Sequence, residues 1–154
     1  DKANMSFQEK NITVSLVNFS LILVFYLIRL LQMIQNGSFN STNVFRLWAI
    51  IIVAAIVVTI AATILTHLVS AIIQAIQTQA EPVIEDIADE RDKFIDLKGT
   101  KVTYLVSSLG SFLAMLTFAF GQPPLVMFTL LILFGVVAQI VGDIARLYFY
   151  RRGF

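Results

Sequence analysis

The chain has 154 residues, 58% of them hydrophobic and 14% charged, with a mean hydropathy of +0.83 and a formal net charge of +1. Soluble domains of this size are usually about half apolar and about a quarter charged, so the shortage of charge excludes an ordinary solvated surface. The near-neutral balance excludes a nucleic-acid binder that works through a basic face, and the absence of cysteine excludes disulfides, thiolate metal sites and cysteine nucleophiles.

A membrane-spanning helix needs roughly 20 mostly apolar residues, and four runs meet that length. The first covers about 12–34. It is too long for the apolar core of a signal peptide and lacks a small-residue cleavage site, so it is expected to stay in the mature chain. A polar connection follows, rich in Asn, Ser and Gly, including Asn36-Gly37-Ser38 and Asn40-Ser41-Thr42, which also match the glycosylation pattern. The second run covers about 44–76 and carries Thr59, Thr63, Thr66, Ser70, Gln74 and Gln77 at helical spacing. The third covers about 102–120, and the fourth about 125–150 after Gly121-Gln122-Pro123-Pro124, a turn in which proline stops the preceding helix. The runs are continuous rather than alternating, which points to helices rather than barrel strands. The expected fold is an all-α membrane protein: a four-helix transmembrane bundle forming a single domain, with a cytoplasmic amphipathic acidic helical segment between helices two and three.

That segment, about 82–98, holds most of the charge. Glu81-Pro82 suits a helix start. Ile84, Ile87, Ala88, Arg91, Phe94 and Ile95 share one helical face, and Glu85, Asp89, Asp92 and Asp96 form an acidic stripe on another. The plain structural reading is a solvated juxtamembrane helix; the functional reading is a docking surface for a basic protein partner. A divalent-cation site would need carboxylates converging from several directions, whereas one helix face supplies a line of them, so no metal is expected there.

The stretch Glu85-Asp86-Ile87-Ala88-Asp89-Glu90-Arg91-Asp92-Lys93, followed closely by a span and by the ending Tyr150-Arg151-Arg152-Gly153, resembles an uncharacterised prokaryotic integral-membrane family. This is domain of unknown function 2178, in which an Asp-Glu-Arg core sits between two pairs of predicted helices. The second span here is longer than the resemblance implies. The family carries no established activity; the resemblance implies a membrane protein and, through neighbouring regulators, a signalling partner.

Basic residues orient the spans, because short loops rich in Lys and Arg stay in the cytoplasm. Lys2, Lys10, Arg91, Lys93, Lys98, Lys101, Arg146, Arg151 and Arg152 fall on one side, and only Arg29 and Arg46 on the other. Both termini and the middle segment are therefore expected to be cytoplasmic, with the chain multi-pass in the cell (plasma) membrane. Phe25, Tyr26, Trp48, Tyr104, Tyr148 and Tyr150 lie near span ends, as interfacial aromatics do.

Ionisable residues inside spans cost about 2.5–3.5 kcal/mol each on insertion scales. His67 is the only histidine, and Asp143 and Arg146 are spaced to pair on the fourth helix. Asn18, His67, Ser107 and Asp143 fall at similar distances from the cytoplasmic face. The expected intramembrane cluster is therefore Asn18, His67, Ser107 and Asp143, with Arg146 at its edge. Against it stands the ordinary role of such groups in fixing helix packing, which also explains the small-residue stripes with Gly110 on the third helix and Gly135 and Gly142 on the fourth. No phosphate loop, zinc-protease motif or nucleophile elbow occurs. With one histidine, haem would need methionine or another chain as second ligand, so no cofactor is expected, and no enzyme.

Two functional readings follow. The first is an accessory subunit or membrane-bound regulator that acts through a protein partner on Glu85, Asp89, Asp92 and Asp96. The second is a transporter or channel component using the His67/Asp143 cluster, which at this length requires a homo-oligomer.

Overall fold

The computed structural model describes residues 7–78 and 90–152. They form four antiparallel helices, α1 (Phe7–Gln35), α2 (Ser41–Thr78), α3 (Glu90–Ala119) and α4 (Pro124–Arg152), with no strand among the described residues. All four are long and apolar enough to cross a membrane. The chain is an all-helical bundle of the expected class.

Local chemistry explains where the helices stop. At the end of α1, Gly37 adopts φ 66°, a left-handed conformation that an L side chain resists. The Ser38 amide then donates to the Met33 carbonyl at 2.9 Å and the Gly37 amide to Ile34 at 3.3 Å, which satisfies two of the helix's last carbonyls. The same pattern closes α3. Gly121 has φ 85°, Gln122 donates to Thr117 and Gly121 to Phe118, both at 3.0 Å. α2 starts earlier than its apolar run because Asn40 caps it, its Oδ1 accepting from the Asn43 amide at 2.9 Å. Pro124 opens α4 at the position where a missing N–H is harmless.

α3 differs from expectation in one respect. A separate linker helix ending near residue 98 is not seen; α3 runs unbroken from Glu90 through Gly99 into the third span. Gly99 is a point of close approach rather than a helix end, since a β-carbon there would overlap the Arg146 side chain of α4. The proposed linker residues 82–89 lie outside the described residues.

The helices pack in the spatial order α3, α4, α1, α2. α3 and α4 form the tightest pair, because glycines let their backbones approach. A β-carbon at Gly110 would run into Phe134, and one at Gly142 into Thr103. Between α1, α2 and α4 lies an apolar cluster of Ile22, Tyr26, Leu47, Ile51 and Val136. Tyr26 is fully buried, and its hydroxyl donates to the Thr129 carbonyl of α4 at 2.8 Å. It is thus an interhelical tie, not the interfacial aromatic that its position near a span end predicts.

α2 touches α4 only lightly and is not packed on α3. Its contact with α4 includes Phe45 and Trp48 edge-on to Phe128, with ring centroids 5.8 and 5.7 Å apart. These residues lie at the end where the two turns are. Beyond Ile51 the helix exposes Val53, Ile56, Val57, Ile60, Ile64 and Leu65. α2 and α4 therefore meet at the turn end and leave a space between them at the terminal end, where α1 begins and α4 finishes.

Candidate functional site

That space is a cavity of about 470 Å³. α1 supplies Gln8, Asn11, Ser15 and Asn18, whose spacing of three, four and three places them on one face of an otherwise apolar helix. α4 supplies Gln139, Asp143, Arg146 and Tyr150, spaced four, three and four. α3 contributes Asp92, Lys93 and Asp96 from its first turns, and α2 closes one side with Val58, Thr59, Ala62 and Thr63. Thr59 and Thr63 bond their hydroxyls to carbonyls one turn back, at 2.7 and 2.8 Å, so their wall is chemically quiet. The working groups face it from α1, α3 and α4.

Asp143 is the most enclosed charge among the described residues, 3% exposed. At about 1.5 Å per residue it sits roughly 14 Å inside the last residue of α4. An ionised carboxylate at that depth must be met by donors, and three helical positions provide them. Ser15 Oγ of α1 donates to Oδ2 at 2.7 Å, Gln139 Nε2 to Oδ1 at 3.2 Å, and Arg146 Nη1 to Oδ1 at 3.1 Å. Arg146 is itself shared. Its Nε pairs with Asp96 of α3 at 2.8 Å and its Nη2 donates to Thr100 at 2.9 Å. One guanidinium thus joins a nearly buried carboxylate of α4 to an exposed one of α3.

A second tie lies nearer the helix ends. Tyr150 donates its hydroxyl to Asp92 at 2.7 Å, and Arg91 donates to the Tyr150 carbonyl at 3.1 Å while its guanidinium lies 5.9 Å from the Tyr150 ring centre. Two carboxylates of the acidic stripe, Asp92 and Asp96, are therefore held against α4 across the mouth of the cavity. Glu85 and Asp89, the other two, lie outside the described residues.

Of the expected intramembrane cluster, the structure brings Asn18, Asp143 and Arg146 to one cavity. The Asn18 side chain has no hydrogen-bond partner among the described residues. His67 and Ser107 do not line it. On α2, Thr66 faces α1 and donates to Asn11 at 3.3 Å; His67 follows about 100° further round the helix, and its side chain is exposed. On α3 the cavity is lined only as far as Asp96, and Ser107, half-buried, lies roughly 16 Å further along the helix axis. The side chains of Ser70, Gln74 and Gln77 are outside the described set.

Ser15 and Gln139, the two neutral donors to Asp143, are absent from the sequence-based cluster. The signal that finds them is the polar stripe on α1 and on α4, read at helical spacing rather than residue by residue. Among the described residues, no group of three or more His, Asp or Glu side chains is placed to hold a metal ion. Comparison of the chain with models of protein families, with characterised proteins and with solved structures gives no match.

Proposed function

We propose that the chain is a subunit of a membrane transport or channel assembly that admits protons or small cations into the polar cavity from the side of the termini. The observation that carries this reading is Asp143, a nearly buried carboxylate facing a cavity of about 470 Å³ inside helices of membrane-spanning length. The lining holds three carboxylates, Asp92, Asp96 and Asp143, against Lys93 and Arg146, so its balance favours a cation. Intramembrane carboxylates facing polar cavities commonly mark such routes. With α2 unpacked from α3, one chain leaves the cavity without a complete wall, so a working path requires further subunits. The cavity's side corresponds to the cytoplasm under the distribution of Lys and Arg, and the Asp89-Glu90-Arg91 core supports placement with the prokaryotic family it resembles.

The test is flux. In liposomes carrying the purified protein, an imposed proton or potassium gradient should dissipate through the wild type. Asp143→Asn should slow it at least about tenfold, as expected where the carboxylate is the charge that meets the cation. His67→Ala should leave it unchanged. A wild type that conducts nothing, or a D143N protein that conducts equally, refutes the reading.

A second reading is supported by the lipid-length apolar surface that α2 leaves exposed beyond Ile51: an accessory subunit or regulator that buries α2 against another membrane protein. Loss of a stoichiometric copurifying protein on replacing the exposed Ile56, Ile60 and Ile64 of α2 by Trp, with no flux from the chain alone, would favour it.

A further inference from the structure

The ten carboxylates of this chain are unevenly placed. No Asp or Glu occurs between residues 10 and 80, or between 97 and 142. Among the described residues, the turn end of the bundle, formed by the α1–α2 and α3–α4 turns, thus has no carboxylate. The nearest along α4 is Asp143, roughly 28 Å from Pro124 at 1.5 Å per residue. Two arginines nevertheless occupy that end. Arg29 lies about 9 Å before the last residue of α1 and Arg46 about 8 Å after the first of α2, so the two are at nearly the same depth.

Both line one recess of about 180 Å³ between α1 and α2, together with Ser38, Asn43, Met33 and Leu47. The hairpin that presents them is fixed by the left-handed Gly37, by the Asn40 cap and by Asn43, whose Nδ2 donates to the Ser38 carbonyl at 2.9 Å. Among the described residues neither guanidinium meets a carboxylate. Arg29 reaches only the neutral Gln32 Oε1, at 3.4 Å, and Arg46 has no hydrogen-bond or ion-pair partner among the described residues. Two guanidinium groups from different helices therefore border one preformed recess with no carboxylate beside them among the described residues.

We infer that this recess binds a phosphate group, held between Arg29 and Arg46. Guanidinium groups match phosphate oxygens in paired, charge-assisted hydrogen bonds, and the tetrahedral spread of a phosphate's unesterified oxygens lets guanidinium groups from two helices each take one. The apolar side of the recess, Met33 and Leu47, suits a group that carries a hydrocarbon part. The depth, near helix ends and beside Phe45 and Trp48, is that of lipid headgroups. The phosphodiester of a membrane lipid and a soluble phosphate share this chemistry, and the experiment separates them. The site is at the opposite end of the bundle from the cation cavity and does not depend on it.

The full chain, purified in dodecyl maltoside, is examined by native mass spectrometry after exchange with phosphatidylglycerol, phosphatidylcholine or inorganic phosphate. The wild type should retain one phosphate-bearing ligand. The exposed double variant R29Q/R46Q should bind it at least about tenfold more weakly, as expected for loss of charge-assisted pairs. R151Q/R152Q, which removes the same charge from the other end, should bind as the wild type does. Retention of phospholipid assigns the headgroup as source, and retention of inorganic phosphate alone assigns a soluble anion. No bound phosphate in any arm, or equal losses in the two double variants, overturns the inference. A thermal melt of R29Q/R46Q without added lipid reports whether the variant is folded.

Discussion

Arg146 bonds Asp96, Thr100 and Asp143 in the polar network, and its two ion pairs are not equivalent. Asp143 is almost fully enclosed while Asp96 has a side chain 71% exposed. Removing the partner of an enclosed charge leaves that charge uncompensated, which usually costs about 3–5 kcal/mol, whereas an exposed pair is worth about 0–1 kcal/mol. Arg146→Met should therefore destabilise the protein by about 3–5 kcal/mol and Asp96→Asn by less than about 1 kcal/mol. Equilibrium unfolding in mixed micelles measures both, and comparable losses would show that Asp96 carries more of the pairing than its exposure implies. At this scale the sequence was partly legible. Asp143 and Arg146 stand out as charges within an apolar run, and Asn18 as an amide within another. His67 is equally conspicuous by composition, yet rotation about α2 turns it outward. A helical position one residue from a packed one lies about 100° away, and depth alone does not encode that angle.

Among the elements, α3 and α4 are joined by small residues rather than by apolar bulk, which fits a solvent where lipid tails already satisfy apolar side chains. The glycines of this pair are not interchangeable. Gly110 and Gly142 have no room for a β-carbon beside Phe134 and Thr103, whereas nothing lies within 4 Å of one placed at Gly135. Gly110→Ala and Gly142→Ala should each cost about 1–3 kcal/mol through overpacking. Gly135→Ala should stay neutral or gain up to about 1 kcal/mol in helix propensity. Thermal melts of the single variants decide it, and a loss at Gly135 equal to the others would point to a neighbour outside the chain. The apolar runs revealed each of the four described helices, since nothing else in the composition competes with them. Their ends were less legible. Asn40 extends α2 backwards by capping it, and α3 ignores the change from charged to apolar sequence near residue 98 because a helix tolerates both solvents on one axis. The polar stripes of α1 and α4 were present in the spacing, but which neighbour each one meets depends on packing order, which no local pattern specifies.

For the molecule as a whole, the antiparallel arrangement puts Phe7, Thr78, Glu90 and Arg152 at one end and both turns at the other. The cysteine-free sequence makes the sidedness directly measurable. With the cytoplasmic assignment of the termini, Asn36→Cys in the first turn should react with an impermeant maleimide in intact cells, and Arg152→Cys only after permeabilisation. The reverse pattern would turn the cavity outward. The hydrogen bond from Ser15 to Asp143 also bears on how such a chain is made. Of the four described helices, Ser15 belongs to the first synthesised and Asp143 to the last, so the donor is already in the bilayer when the acceptor emerges from the ribosome. The costliest side chain in the fourth helix can thus be handed from the insertion machinery to a waiting partner, and a chain that lost its first helix would strand that carboxylate in lipid.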